Sequence, residues 1–306
     1  MKVLITGGAG FIGSNVAEGL LAKNHEVVIV DDLSNGKKEN IPADAKFYRK
    51  DIRDKEVFEI FKDENPDIVI HNAAQLSVRV SVEDPVFDAD INIMGGLNVI
   101  NACSILKVKK IIFASSGGTV YGEQEYFPAD EKHPTMPVSP YGVAKLTTEN
   151  YLYYFYKTFG LEYISLRYGN IYGPRQDPYG EAGVVAIFSG IMLEGGNPTI
   201  NGDGLQTRDY VYVEDVVDAN IKAIESGFVG PLNIGTKKET SVLELFKILR
   251  EISGKSNIEE IHGPAKEGEQ RRSQLSCGLA YDVLGWEPAT AMEEGLRLTY
   301  NWFKGK

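Results

Sequence analysis

Lys2-Val-Leu-Ile-Thr-Gly-Gly-Ala-Gly-Phe-Ile-Gly13, at the start of the chain, is the stretch that decides the fold. The apolar run before its glycines predicts a buried strand, and an apolar helical pattern from Phe11 to Lys23 follows them. Glycines between a strand and a helix permit a tight turn and close approach of a ligand, while the helix N-terminus offers N–H groups to a pyrophosphate. The stretch therefore predicts a dinucleotide-binding turn built on Gly7, Gly10 and Gly13.

An acid at the end of the second predicted strand, Glu26 to Val30, supports this interpretation. Asp31 stands where a carboxylate would hold a ribose 2′-hydroxyl. Asp32 follows it with no arginine nearby, and two negative charges would repel a 2′-phosphate. The sequence therefore favours NAD over NADP as the cofactor.

Short apolar runs alternate with longer amphipathic ones as far as Arg167. Near-continuous runs such as Val27 to Val30 are typical of strands buried on both faces of a parallel sheet. We therefore predict an α/β fold, a doubly wound parallel sheet of the Rossmann type with a smaller C-terminal α/β substrate domain. The predicted domains are 1–168 and 169–306, and segment 210–235 is expected to return to the edge of the first sheet. Predicted strands are 2–6, 26–30, 47–49, 68–71 and 110–115, and predicted helices are 11–23, 55–62 and 85–106.

Composition excludes several classes of protein. A net charge of −11 disfavours nucleic acid and anionic membranes as partners. Two cysteines cannot form a disulfide framework, and four scattered histidines show no zinc spacing, so we expect no metal. A reducing cytoplasm is the expected compartment.

Further polar and small residues stand at predicted strand carboxyl ends, where a doubly wound sheet binds its ligand. Asp51-Ile52 follow the third strand and Ala73-Ala74 the fourth. Ser115-Ser116, at the end of the fifth, could donate a hydroxyl hydrogen to a substrate oxygen. For each pair taken singly, plain turn chemistry remains an alternative.

Tyr141-Gly-Val-Ala-Lys145 lies in a segment that reads as a helix. Positions i and i+4 share a helix face, so the phenol and the ammonium are expected to point the same way. A nearby cation favours the phenolate, and lowering the tyrosine pKa by about three units takes roughly 4 kcal/mol. Because this spacing is common by chance, it indicates a catalytic base only together with a cofactor and a substrate.

Four motifs together resemble one known family. They are the glycine turn with Asp31, Ser115-Ser-Gly-Gly-Thr-Val-Tyr-Gly122, Ser139-Pro-Tyr-Gly-x-x-Lys145 and Leu166-Arg-Tyr-Gly-Asn-Ile-Tyr-Gly-Pro174. The combination resembles the extended short-chain dehydrogenase/reductases, and within them the UDP-glucose (UDP-galactose) 4-epimerases of galactose metabolism. The resemblance implies an isomerase with tightly held NAD, a UDP-sugar substrate lying across both domains, and a homodimer formed by long helices. The helix face with Tyr151, Tyr154, Phe155 and Phe159 would form the dimer interface. The alternative is that these side chains simply pack in the core of one subunit.

The resemblance also implies roles for individual residues. Tyr141 would be the base, and Lys145 would hold the nicotinamide ribose and lower the tyrosine pKa alongside the positive nicotinamide ring. The family's serine position falls on Gly117, so Ser116 is the expected catalytic hydroxyl and Thr119 the alternative. The implied cofactor contacts are Gly7, Gly10, Phe11, Ile12, Gly13, Asp31, Asp32, Asn35, Asp51, Ile52, Ala73, Ala74, Gln75, Asn92, Ser115, Tyr141, Lys145 and Tyr168. The implied substrate contacts are Ser116, Gly117, Tyr141, Asn170, Thr199, Asn201, Arg208 and Arg271.

Two of these arginines, Arg208 and Arg271, would grip the substrate diphosphate through their two-pronged donor geometry. The segment Gly268-Glu-Gln-Arg271 departs from the family's Gly-Asp-x-Arg, which puts its local geometry in doubt. Ser273 falls near the position where a bulky aromatic residue excludes N-acetylated sugars. A serine there implies that UDP-N-acetylglucosamine is also epimerised, although the sequence does not rank the two sugar classes.

The implied reaction passes through a 4-keto sugar that rotates about its diphosphate linkage and is reduced on the opposite face. A 4,6-dehydratase of the same family carries an acidic pair before Val120, and here those positions are Gly118 and Thr119. Epimerisation or decarboxylation of UDP-glucuronate remains open. A non-catalytic NAD-binding regulatory protein is disfavoured, because Tyr141 and Lys145 are both present.

Overall fold

The computed structural model describes residues 1–178, 183–265 and 270–306. Its strands are β1 (Lys2–Thr6), β2 (Glu26–Asp31), β3 (Lys46–Arg49), β4 (Ile68–His71), β5 (Lys110–Ser116), β6 (Glu162–Tyr168), β7 (Asn170–Tyr172), β8 (Thr199–Asn201), β9 (Thr207–Arg208), β10 (Tyr210–Tyr212), β11 (Gly230–Ile234), β12 (Thr240–Ser241) and β13 (Ile261–Gly263). Its helices are α1 (Phe11–Ala22), α2 (Glu56–Glu64), α3 (Val78–Glu83), α4 (Pro85–Ala89), α5 (Gly96–Ile105), α6 (Gly117–Val120), α7 (Pro140–Phe159), α8 (Val184–Leu193), α9 (Val213–Glu225), α10 (Val242–Ser253), α11 (Gly278–Leu284) and α12 (Met292–Lys304). A 3-10 turn covers Lys38–Asn40 and a π-helical segment covers Asp90–Gly95.

A seven-stranded sheet in the order β11-β6-β5-β4-β1-β2-β3 forms the centre of the molecule. Every neighbouring pair in it is parallel. Alternate residues of β1 face opposite sides: Val3 and Ile5 pack with α1 and α9, whereas Leu4 packs with α2, α5 and α7. The predicted doubly wound parallel sheet is confirmed. The strand order reverses between β1 and β4, and a ligand crevice is expected at their carboxyl ends.

The chain after β6 builds a smaller unit with three two-stranded sheets, β10-β7, β12-β9 and β13-β8. Its own core contains Phe188, Met192, Leu245, Phe246 and Leu296. The last strand of the large sheet, β11, comes from this later part of the chain and pairs with β6. The predicted division into domains 1–168 and 169–306 stays a prediction.

The helical pattern predicted from Pro85 to Leu106 is interrupted in the structure. The π-helical segment Asp90–Gly95 separates α4 from α5. A Cβ atom on Gly95 would lie 2.7 Å from the Ile52 side chain, so the wider turn presses the backbone against the neighbouring loop. Segments of this kind are frequent at functional sites.

Within the part of the chain that the structure describes, no helix combines the length and the apolar character needed to cross a membrane.

Candidate active site

The glycine turn after β1 forms a close-packed cradle. Gly7 has a left-handed backbone with φ of 70°, and a Cβ atom there would lie 2.6 Å from the Ala73 backbone nitrogen. A Cβ atom on Gly13 would lie 2.2 Å from the Gly7 carbonyl oxygen. No side chain caps α1 at Gly10, so the first N–H groups of this 12-residue helix are left for an anion. The cradle therefore fits the pyrophosphate of a dinucleotide.

Asp31 braces this cradle from the end of β2. Its Oδ2 accepts a hydrogen bond from the Ala9 N–H at 3.0 Å, and its Oδ1 accepts one from the Leu33 N–H at 2.8 Å. Burial raises the pKa of the Asp31 carboxyl. Asp32 accepts two hydrogen bonds from Ser34, at 2.8 Å and 2.6 Å, and so closes the turn that exposes Asn35. The two acids stand at the edge of the crevice, as the preference for NAD requires.

Further predicted cofactor residues lie after β3 or in the segment that follows β4. Asp51 is paired with Arg53, whose Nη2 lies 2.6 Å from its Oδ2, and this pairing lowers the pKa of Asp51. Its neighbour Ile52 is buried. Gln75 and Asn92 bind each other instead: the Gln75 N–H donates to the Asn92 Oδ1 at 2.9 Å, and the Asn92 amide donates to the Gln75 carbonyl at 3.0 Å. The Asn92 side chain and the Gln75 backbone thus form a fixed polar frame beside Ala73 and Ala74, which lie shortly after β4.

Tyr141 and Lys145 occupy the first two turns of α7. Ser139 caps the helix by accepting a hydrogen bond from the Gly142 N–H at 3.2 Å, and Pro140 occupies the first turn. The Lys145 Nζ lies 5.5 Å from the centroid of the Tyr141 ring, so the two side chains share a face. The same Nζ donates to the Ala114 carbonyl at 2.8 Å, which fixes the ammonium at the end of β5.

In the protein without its cofactor, the pKa of Tyr141 is raised rather than lowered. Burial raises the pKa of Tyr141, and the negative charge of Asp88 raises it further. Burial also lowers the pKa of Lys145 to about 8, because the charged ammonium is removed from water. The predicted lowering of the Tyr141 pKa by Lys145 together with the positive nicotinamide ring of bound NAD stays a prediction.

The structure places Ser116, the predicted catalytic hydroxyl, near Asn170. A Cβ atom on Gly118 would lie 3.9 Å from the Ser116 Oγ and 3.8 Å from the Asn170 Oδ1, so these two polar groups face one space. The Thr119 hydroxyl donates to the Ser116 carbonyl at 3.5 Å, within the turn. The Ser115 hydroxyl donates to the buried Glu149 at 2.5 Å, so its side chain is used inside the protein.

Gly117 occupies the position where a serine was expected, and the structure gives a reason. A Cβ atom there would lie 2.5 Å from the Leu275 Cδ1 and 3.1 Å from the Arg167 carbonyl oxygen. Leu275 is completely buried beside Tyr121. A serine at this position would collide with the buried leucine.

Four of the predicted substrate residues lie on the short strands of the smaller unit. Asn170 begins β7, and its N–H donates to the Asp209 carbonyl at 2.7 Å. Arg208 ends β9 and donates to the Thr207 carbonyl at 2.8 Å. The strand β8 carries Thr199, which is exposed, and Asn201.

Arg271 lies beside β9, because its carbonyl accepts a hydrogen bond from the Thr207 N–H at 3.0 Å. Its guanidinium, however, binds both oxygens of Asp203 at 2.8 Å, so in this structure its predicted phosphate-binding fork is engaged by a carboxylate. The altered motif residues Gly268 and Glu269 lie outside the described residues.

Tyr168 was expected at the nicotinamide, and the structure places its ring in the core of the large sheet. Its hydroxyl accepts a hydrogen bond from the Asn220 amide at 2.9 Å, so the polar end of this side chain is engaged within the protein.

Sequence reasoning missed the buried polar residues beneath the site. Arg167 pairs with Glu149 at 2.6 Å and donates to the Tyr121 hydroxyl at 3.0 Å, which joins α7 to β6. Asp88 is 1% exposed and accepts hydrogen bonds from Gln75 and Asn92. The i, i+4 spacing of Asp88 and Asn92 in the predicted helix was the one sequence signal that these two side chains could contact each other.

The chain has close relatives over its whole length. A model of the NAD dependent epimerase/dehydratase family matches residues 3–235. A UDP-glucose 4-epimerase of Mycolicibacterium smegmatis is 42% identical over 312 residues, which cover 100% of this chain and 99% of the relative. The solved structure of a UDP-glucose 4-epimerase from Thermotoga maritima, with UDP-glucose, is 49% identical, has a TM-score of 0.97 and covers 100% of this chain and 99% of that one. The structure of a Thermus thermophilus UDP-glucose 4-epimerase in complex with NAD is 46% identical, with a TM-score of 0.94 and coverage of 100% and 99%.

Proposed function

The chain belongs to the NAD dependent epimerase/dehydratase family, and from this premise we propose that it is an NAD-dependent isomerase that interconverts UDP-glucose and UDP-galactose at C4. The observation that carries the proposal is the place of Tyr141, which shares a helix face with Lys145 beside the end of β5. That edge of the sheet also carries the glycine cradle, so base and cofactor site open on the same crevice.

The cofactor is held by the cradle of Gly7 to Gly13 and by Asp31. When bound, NAD⁺ supplies a hydride acceptor and a positive charge beside the crevice. Lys145 would hold the nicotinamide ribose, its ammonium kept in place by the Ala114 carbonyl. Because burial raises the pKa of Tyr141, ionisation of this base depends on the loaded protein rather than on Lys145 alone.

The chain's own residues carry the proton transfers. The Tyr141 phenolate accepts the proton of the sugar 4-hydroxyl, while the Ser116 hydroxyl donates a hydrogen bond to the same oxygen. In the second half of the reaction the 4-keto sugar presents its opposite face to the cofactor site. Tyr141 then returns the proton to O4 as the sugar is reduced. The UDP moiety stays bound to Asn170 and Arg208, so the 4-keto hexose can rotate about its diphosphate linkage without leaving the protein. Arg271 joins them by exchanging Asp203 for the diphosphate.

A test of this proposal uses the protein without added cofactor. We expect UDP-galactose to be converted to UDP-glucose with no accumulation of NADH, because each turnover restores the cofactor. The Tyr141→Phe variant, which keeps the ring and loses the phenol, should retain bound NAD and lose the conversion. Absence of conversion by the unmodified protein loaded with NAD would refute the proposal.

A homodimer is the second part of the proposal. Apolar and aromatic side chains are exposed on α7 and on the neighbouring segment from α3 to α5. They include Val82, Val86, Phe87, Met94, Tyr151, Tyr154 and Phe159. Contiguous exposed apolar surface of this kind marks an interface, although Phe155 of the predicted set is buried. Sedimentation velocity should give twice the chain mass of 33.8 kDa, and a monomer at micromolar concentration would refute this part.

The cytoplasm is the proposed compartment, because both cysteines, Cys103 and Cys277, are buried free thiols.

A further inference from the structure

Asp88, in the helix α4, is a buried carboxylate with unusual surroundings. Its Oδ1 accepts hydrogen bonds from the Gln75 amide at 2.8 Å and from the Asn92 amide at 2.9 Å. Its Oδ2 is also buried and has no hydrogen-bond partner among the described residues. A buried carboxylate in contact only with neutral amides is costly unless a positive charge lies near it.

The frame that holds Asp88 reaches the helix of the catalytic pair. The carbonyl of Asn92 accepts a hydrogen bond from the Thr148 hydroxyl at 3.3 Å. Thr148 belongs to α7 and stands three residues after Lys145. The helices α4 and α7 pack directly against each other. Asp88 is therefore fixed in position relative to Lys145 through two hydrogen bonds.

The balance of buried charge links Asp88 to Lys145. Lys145 is 4% exposed, and its ammonium donates a hydrogen bond to the neutral Ala114 carbonyl. Two buried carboxylates lie within electrostatic range of it, Asp88 and Glu149. Glu149 is already neutralised by Arg167, with which it forms hydrogen bonds at 2.6, 3.0 and 3.2 Å. Burial raises the pKa of Asp88 and the charge of Lys145 lowers it, so Asp88 is the carboxylate left to balance Lys145.

We propose that Asp88 is a positioning residue of the epimerisation, whose buried negative charge keeps Lys145 cationic and whose hydrogen bonds fix the Gln75–Asn92 frame beside the cofactor crevice. This inference rests on the proposed function. Asp88 does not touch the substrate or the reacting atoms in this account; it acts through Lys145 and Tyr141.

The negative charge of Asp88 raises the pKa of both Lys145 and Tyr141. Burial lowers the pKa of Lys145 to about 8, and Asp88 and then Glu149 oppose that fall. Burial raises the pKa of Tyr141, and Asp88 adds to that rise. His71, on β4, faces the same ammonium and stays neutral, since burial lowers its pKa to about 3. Removing the charge of Asp88 is therefore expected to lower the pKa of both Tyr141 and Lys145.

The remaining acids next to α4, namely Glu83, Asp84 and Asp90, are exposed. Asp84 caps α4 by accepting a hydrogen bond from the Phe87 N–H at 2.9 Å, and asparagine caps a helix equally well. Asp84→Asn therefore removes one exposed charge from the same helix without removing the cap, and serves as the matched control.

The decisive experiment compares the pH–rate profiles of the unmodified protein, Asp88→Asn and Asp84→Asn for the conversion of UDP-galactose. In Asp88→Asn the acid limb of the profile, which reports Tyr141, and the alkaline limb, which reports Lys145, should both move to lower pH by about one unit. Activity should therefore be lost at alkaline pH and retained at acid pH. Asp88→Glu should restore both limbs, and Asp84→Asn should leave them in place. A uniform loss of rate without movement of either limb would assign Asp88 a structural role and overturn the inference.

A second measurement separates this inference from the proposed function. Phenolate absorbance titrated in the substrate-free protein, with Tyr141→Phe as the reference, reports the pKa of Tyr141 directly. That pKa should fall in Asp88→Asn whether or not a UDP-sugar is turned over, and an unchanged pKa would overturn the inference. If Asn is not tolerated, Asp88→Ser removes the same charge without adding bulk and must give the same shift. Inactivity of the unmodified protein would count against the proposed function alone.

Discussion

Replacing Gly117 by serine, the residue expected at that position, should destabilise the protein. The new Cβ atom would lie 2.5 Å from the Leu275 Cδ1, far inside normal contact distance. Leu275 cannot retreat easily, because it is fully buried and packs with Val120, Tyr121 and Ala129. Overpacking of this kind costs about 1–3 kcal/mol. We expect a value at the upper end of that range, since the new Cβ atom would also lie 3.1 Å from the Arg167 carbonyl oxygen, a backbone atom of β6.

Equilibrium urea unfolding at saturating NAD measures this cost, with the cofactor held constant because it stabilises the folded state. Leu275→Ala alone should cost about 2–5 kcal/mol through the cavity that it leaves. In the double variant the serine would occupy part of that cavity, so the combined cost should be about 1–2 kcal/mol less than the sum. Gly118→Ser is the control, because its Cβ would meet its nearest neighbour at 3.8 Å, and its stability should change by about 0.5 kcal/mol or less. Strictly additive costs, or a neutral Gly117→Ser, would refute the reasoning.

Three further predictions concern the site. Ser116→Ala should lower kcat by about 10²-fold or more and Thr119→Ala much less, because the Thr119 hydroxyl donates within its own turn; a larger loss at Thr119 in steady-state assays would reverse the assignment. Glu149→Gln should cost about 3–5 kcal/mol in urea unfolding, because it leaves Arg167 charged and buried without its carboxylate; a loss below about 1 kcal/mol would contradict this. UDP-N-acetylglucosamine should be epimerised alongside UDP-glucose and Ser273→Tyr should abolish only the former, as separation of the products would show; failure of the unmodified protein to convert it would exclude the prediction.

The large sheet could be predicted from sequence because its signals are local. The strand β1, the glycine turn and α1 follow one another within 21 residues, Lys2 to Ala22, and each has its own pattern. The face shared by Tyr141 and Lys145 is also local, since i and i+4 positions of a helix always meet. Predictions of this kind need no knowledge of the tertiary structure.

The missed features depend on contacts between distant segments. The clash at Gly117 comes from Leu275, and the partner that engages Arg271 is Asp203; no local pattern indicates either contact. The raised pKa of Tyr141 arises from burial, which the spacing to Lys145 does not report. The sequence could place these residues near the crevice but could not assign their neighbours.

The pairing of β11 with β6 has a consequence for how the protein is made. Leu232 and Ile234 of β11 complete the same core as Val3 and Ile5 of β1, and α9 reaches that core only after the chain has passed through much of the smaller unit. Domains generally fold during synthesis from the N-terminus onward. Here a nascent chain that ends after β6 still exposes a sheet edge and one apolar face. The dinucleotide-binding unit can therefore finish folding only once β11 has left the ribosome, and until then the growing chain presents a surface for chaperones.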